Sequence, residues 1–135
     1  MRILVINDDI DKSDVFELLV ECYPLEVTSI RIGEDSVTKV DQFNPDVIVF
    51  DTFSPNDRNI SFCTQIREST SSPILMASVI GNPDLVAKAL NAGADDLMIK
   101  PISKTLLLAR LNGLIARSRG ENNYFGRISI PFHSS

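Results

Sequence analysis

Short apolar runs rich in Val and Ile recur along the chain, separated by stretches in which apolar residues return every three or four positions. The runs at 2–6, 26–30, 47–50, 74–77 and 96–99 predict five strands. They are mostly apolar instead of alternating, as strands covered on both faces are. The intervening segments have helical signals. Val15, Leu18, Leu19 and Cys22 share a stripe that Pro24 ends, and Val37, Val40 and Phe43 share a face of 34–43, closed by Asn44-Pro45. Ile60, Cys63 and Ile66 align within 60–67. Asn82 and Pro83 suit the start of a helix over 84–92 that Gly93 stops. Ser103 caps a last helix, 104–117, bearing Leu107, Leu108, Leu111, Leu114 and Ile115. Strands and helices in strict alternation predict an α/β fold with one parallel sheet.

With 135 residues, 44% of them hydrophobic, the chain has material for one core and no second full domain. From Gly120 the sequence turns polar, so 119–135 is expected to be a linker or the remnant of a further domain, although Arg127-Ile128-Ser129-Ile130 has strand alternation. A net charge of -5 and a pI near 4.7 argue against direct nucleic-acid binding, which needs a clustered basic face. Cys22 and Cys63 lack metal-ligand spacing and read as free thiols, which suits a cytoplasmic protein. No apolar run reaches the roughly 18 residues of a membrane span.

The ends of the strands carry the chemistry. Asp8 and Asp9 follow the first, Asp51 the third, Ser78 the fourth and Lys100 the fifth. In a parallel sheet these residues converge at the carboxyl edge, where open α/β sheets bind ligands. Three carboxylates there repel one another unless a hard cation such as Mg²⁺ neutralises them. Lys100 offers a point charge and Ser78 a hydroxyl to an incoming phosphoryl group. A single Asp after a strand more often caps a helix; five such residues at successive strand ends read as a site. His133, the only histidine, lies in the tail, Asp95 and Asp96 read as a surface pair, and Arg110, Arg117 and Arg119 as a solvated helix face.

With these residues in place, the chain resembles the receiver domains of two-component response regulators over residues 1–118. Ile3-Leu4-Val5-Ile6-Asn7-Asp8-Asp9 resembles the acidic-pair strand, and residues 44–55, which include Asp51, the phospho-acceptor segment. Residues 73–78, ending in Ser78, resemble the switch strand, and residues 92–101, ending in Lys100-Pro101, the lysine segment. The resemblance implies a flavodoxin-like (βα)5 three-layer sandwich with strand order 2-1-3-4-5. It implies Asp51 as acceptor of a phosphoryl group from a sensor histidine kinase or phosphotransfer protein, with Lys100 and Ser78 on the phosphoryl oxygens. Mg²⁺ is expected on Asp8, Asp9, Asp51 and the backbone carbonyl of Phe53. Such a chain is a signalling module, not an enzyme beyond hydrolysis of its own phosphoaspartate.

The family usually has Tyr or Phe three residues before the lysine; Leu97 stands there. Asn59 takes the place of a usual glycine in the loop after Pro55. The run 106–110 and the tail resemble, more distantly, winged-helix regulators of the OmpR-like class, whose receivers dimerise through the fourth helix, fifth strand and fifth helix. Asp95 or Asp96 can pair with Arg110 there, and Val86 and Leu106 would make that face apolar. Two further readings stay open. A pseudo-receiver would keep the fold as an interaction module without phosphorylation. A phosphohydrolase on a related fold would need an acid two residues after its nucleophile, where this chain has Phe53.

Overall fold

The computed structural model describes residues 1–8, 13–22 and 24–120. The apolar runs form β1 (Arg2–Asn7), β2 (Glu26–Arg31), β3 (Val47–Thr52), β4 (Ile74–Ser78) and β5 (Asp96–Ile99). All neighbours pair in parallel, in the order β2-β1-β3-β4-β5. The helices are α1 (Asp14–Leu19), α2 (Ser36–Phe43), α3 (Asp57–Ser69), α4 (Pro83–Asn91) and α5 (Lys104–Ser118). This is the flavodoxin-like arrangement expected from the sequence.

The strands alternate their buried side chains between two layers because successive residues of a strand face opposite ways. Ile3, Val5, Val49, Leu75 and Ala77 pack on Val15 and Leu19 of α1 and on Leu107, Leu111 and Leu114 of α5. Leu4, Ile6, Ile48, Phe50 and Met76 pack on Val40 of α2, Cys63 and Ile66 of α3 and Ala89 of α4. Phe50 is fully buried. Phe43, which the sequence places on the apolar face of α2, and Phe62 of α3 are partly buried residues packed against this second layer.

Caps set the helix starts. Asn56 accepts from the amide of Asn59 at 2.9 Å and begins α3 at Asp57, three residues ahead of the apolar stripe. Asn59 therefore sits in the first turn of α3, not in a loop of left-handed backbone as its replacement of a glycine suggested. Asn82 and Ser103 cap α4 and α5 as expected, accepting from Leu85 and Leu106 at 3.0 Å each. Gly93, with φ of +121°, lets the chain leave α4 against the Arg67 side chain; a Cβ there would lie 2.6 Å from Arg67 Cγ. Among the described residues, no helix is long and apolar enough to cross a membrane.

Candidate functional site

Parallel pairing aligns the strand ends, and the site grows from that register. Asn7 of β1 lies opposite Asp51 of β3, and Thr52 opposite Ser78 of β4. Asp51 thus stands inside β3 one residue before its end, with its backbone held by both neighbouring strands. Asp8, the residue after β1, donates its amide to the Asp51 carbonyl at 3.3 Å. Lys100 follows β5, and its amide donates to the Ser78 carbonyl at 2.8 Å.

Asp51 is 4% exposed. A carboxylate so buried is costly unless charge and hydrogen bonds compensate it. The Lys100 ammonium contacts Oδ1, for which the described residues supply no other hydrogen-bond donor, and the Ser13 hydroxyl donates to Oδ2. Lys100 also lies 3.7 Å from Asp14. Asp8 is more open: its Oδ2 accepts from Asn59 Nδ2 at 2.9 Å and from the Phe53 amide at 3.4 Å. Asp8, Asp51, Thr52, Phe53, Val79 and Lys100 line one cavity of about 170 Å³, together with Asn7 and Asp14. Asp9 lies outside the described residues.

Ser78 and Phe53 are oriented differently. Ser78 is fully buried, and its hydroxyl faces the carbonyls of Ile80 at 2.5 Å and Phe53 at 3.2 Å. The Phe53 carbonyl also accepts from the amides of Val79 and Ile80, at 3.0 Å each. A carbonyl that accepts from two amides has no lone pair to spare, so a metal at this oxygen requires the β4–α4 loop to let go of it.

The remaining donors suit a hard divalent ion. Asp8 and Asp51 bring carboxylate oxygens to one cavity. Among the described residues, no three His, Cys, Asp or Glu side chains are grouped to hold a metal. Two carboxylates completed by water and substrate oxygens match the habit of Mg²⁺.

Three residues of the site were not picked out from the sequence. Ser13 caps α1 and reaches Asp51 from 38 positions away; a serine next to an acidic pair carries no such signal by itself. Asn59 is 1% exposed and ties Asp8 to the Ser54 carbonyl at 2.9 Å. The sequence signal for Asn59 is Asn56, a cap-forming residue three positions earlier that places Asn59 in the first turn of α3. Asn7 donates to Ser29 Oγ at 2.9 Å and to the Ile30 carbonyl at 3.1 Å, locking the ends of β1 and β2.

Farther out, Asp96 pairs with Arg110 at 2.8 Å, whereas Asp95 binds Arg67 at 3.0 Å and the Ile74 amide at 2.8 Å. Leu97 is half-buried against the layer under α2, α3 and α4. Leu90, Ile99 and Leu106 are 44–47% exposed, and Val86 is half-buried.

Residues 3–112 match the family model described as response regulator receiver domain. The transcriptional regulatory protein ResD of Bacillus subtilis is 27% identical over 92% of this chain and 51% of its own length. The DNA-binding response regulator MtrA of Mycobacterium tuberculosis is 28% identical over 89% of this chain and 53% of its own. The chain thus spans about half the length of these curated relatives. Among solved structures, a two-component response regulator from Clostridium difficile superposes with a TM-score of 0.73 at 26% identity, covering 86% of this chain and 96% of that one.

Proposed function

The chain belongs to the response regulator receiver domain family, and from that premise we propose that Asp51 is the phospho-acceptor of a two-component relay, served by Lys100, Ser78 and Mg²⁺. The observation that carries this reading is the Asp51 carboxylate itself. It is buried, touched at one oxygen by the Lys100 ammonium, and opens on a cavity shared with Asp8. Phosphoryl transfer asks a protein for in-line positioning and charge neutralisation more than for covalent help, and these groups supply both.

In the proposed step an Asp51 oxygen attacks phosphorus, and the P–N bond of a kinase or phosphotransfer-protein phosphohistidine breaks with its electron pair going to the imidazole. Lys100 passes from the carboxylate to a phosphoryl oxygen. Asp8 and Asp51, with Asp9, would hold Mg²⁺, which would supply charge neutralisation there. The Phe53 carbonyl would be free to serve the ion only once the amides of Val79 and Ile80 release it. Ser78 rotates from the Ile80 carbonyl toward the new phosphoryl group. The only reactions assigned to the chain are its own phosphorylation and the hydrolysis of the product. Residues 1–118 form this unit in the cytoplasm, with 119–135 as a linker or the remnant of an effector domain. DNA binding, which the name of the longer relative MtrA carries, is assigned to no residue of this chain.

The exposed Leu90, Ile99 and Leu106, flanked by the Asp96–Arg110 pair, support a homodimer through α4, β5 and α5. Leu106→Glu is expected to weaken association in sedimentation runs with beryllofluoride. Phe53, 64% exposed, and Ile80, 37% exposed, border the site with apolar groups that cannot orient an attacking water. A Phe53→Asn, Ile80→Glu double variant should therefore lose its phosphoryl group faster, by roughly the 10²-fold of general-base positioning.

One observation favours the pseudo-receiver reading: Ser78 and the Phe53 carbonyl are engaged with each other and with the loop, not with the cavity. Incubation with acetyl phosphate, followed by intact mass measurement, separates the readings. Gain of one phosphoryl group with Mg²⁺ and none with a chelator supports the receiver; no gain with Mg²⁺ supports the pseudo-receiver.

A further inference from the structure

Ser13 is committed at both ends of its hydroxyl. As the N-cap of α1 it accepts from the Phe16 amide at 3.0 Å, and it spends its single proton on Asp51 Oδ2. It is 3% exposed, so water does not compete for that proton. The two oxygens of Asp51 are therefore held unequally. Oδ1 faces a full positive charge on Lys100, and Oδ2 a neutral hydroxyl. A divalent cation approaching Oδ1 meets the repulsion of an ammonium. At Oδ2 it has to displace one hydrogen bond.

We propose that Ser13 is a positioning residue for Asp51 that stands in for the cation at Oδ2 and yields to it. This rests on the reading of Asp51 as the metal-assisted phospho-acceptor. Without the ion, the hydroxyl keeps Oδ2 satisfied and aims the carboxylate. When the ion arrives, the hydroxyl gives up Asp51 and keeps only the Phe16 amide. Site occupancy is thereby coupled to the first turn of α1, on the face of the sheet opposite α4.

The coupling has a sign that a purely structural cap lacks. Removing the hydroxyl removes a competitor, so Mg²⁺ should bind about tenfold more tightly, the worth of one hydrogen bond to a charged acceptor. Ser13→Gly isolates this effect, because glycine is tolerated at an N-cap far better than alanine. Ser13→Thr keeps the hydroxyl and should restore wild-type affinity.

The test is a calorimetric titration of the full chain with Mg²⁺ and no phosphodonor, on wild type, Ser13→Gly, Ser13→Thr and Asp51→Asn. Tighter binding by Ser13→Gly with wild-type affinity in Ser13→Thr supports the proposal. Equal or weaker binding by Ser13→Gly, with Asp51→Asn impaired, overturns it and leaves the Asp51 reading standing. Equal binding by all four, or none by any, overturns both. Should Ser13→Gly not fold, the Phe16 amide resonance of the wild type decides: movement on addition of Mg²⁺ supports the coupling, and a stationary Phe16 overturns it.

Discussion

At the amino end of the sheet, half-buried arginines bind carbonyls and carboxylates; at the carboxyl end, a lysine and a carboxylate face each other in the interior. Arg2 donates its amide to Asp46 at 2.7 Å, its guanidinium to the Phe43 carbonyl at 2.6 and 2.9 Å and to Glu26 at 2.8 Å, and lies 4.1 Å over the Phe43 ring. Arg67 binds the carbonyls of Gly93, Thr70 and Ser72, besides Asp95. These guanidiniums close the loops that feed β3, β4 and β5, using the planar fork that makes Arg suited to several acceptors at once. The carboxyl end has the opposite character. Asp51 is deeply buried with two partners, and the cavity beside it leaves room for a reactant. Similar charges thus serve stability at one end and, in the proposed function, reactivity at the other, and burial with open valence makes the difference.

The sharpest way to break the contrast is Lys100→Ala. Leaving the buried Asp51 carboxylate with a hydroxyl alone should cost about 3–5 kcal/mol, read by urea denaturation, and should also suppress phosphorylation. A variant as stable as wild type would mean that the pair is not buried as described. Arg67→Ala should cost about 2–3 kcal/mol by stranding carbonyls around Thr70 and Ser72. It should leave phosphorylation within about twofold of wild type, because nothing at that end touches the cavity. A large loss of phosphorylation in the folded variant would erase the division between the ends.

Smaller effects follow from protons. The Arg2 amide hydrogen bond, with help from Arg119, holds the Asp46 carboxyl below the ordinary carboxylate value. A depressed carboxyl stabilises the fold above its unfolded pKa and loses that contribution as pH falls through the folded one. Asp46→Asn should therefore flatten the acid side of the stability profile while changing neutral stability by about 1 kcal/mol or less. Burial pushes the Cys63 thiol from 9.0 up to about 11, against a smaller opposing pull from Arg67. The folded chain keeps this proton where the unfolded chain loses it, so stability should decline between pH about 9 and about 11. Cys63→Ser should remove that decline, and at neutral pH thiol reagents should label the half-buried Cys22 before the buried Cys63.

The apolar runs made the sheet legible, because strands covered on both faces leave few polar positions to confuse the pattern. β5 matches its expected bounds, and β1, β2, β3 and β4 extend one or two residues past theirs. Those extra residues are polar or charged: Asn7, Arg31, Asp51, Thr52 and Ser78. Hydrophobicity ends before backbone pairing does, so Asp51 and Ser78 lie within their strands, while Asp8 and Lys100 immediately follow theirs. Asp8, Asp51, Ser78 and Lys100 were legible as a set because each stands where an apolar run stops. Ser13 and Asn59 were not, since their roles depend on helix caps that bring a side chain back over the sheet edge. The direction of Ser78 was equally hidden. No spacing reports that its hydroxyl is turned to the Ile80 and Phe53 carbonyls.

The most direct test of the account is to locate the phosphoryl group. Wild type and Asp51→Asn should be treated with Mg²⁺ and acetyl phosphate, digested, and mapped by mass spectrometry after conversion of phosphoaspartate to a stable derivative. The account predicts modification at Asp51 alone in the wild type and none in the variant, which should remain folded. Modification at Asp8, or of Asp51→Asn to the wild-type extent, would contradict it.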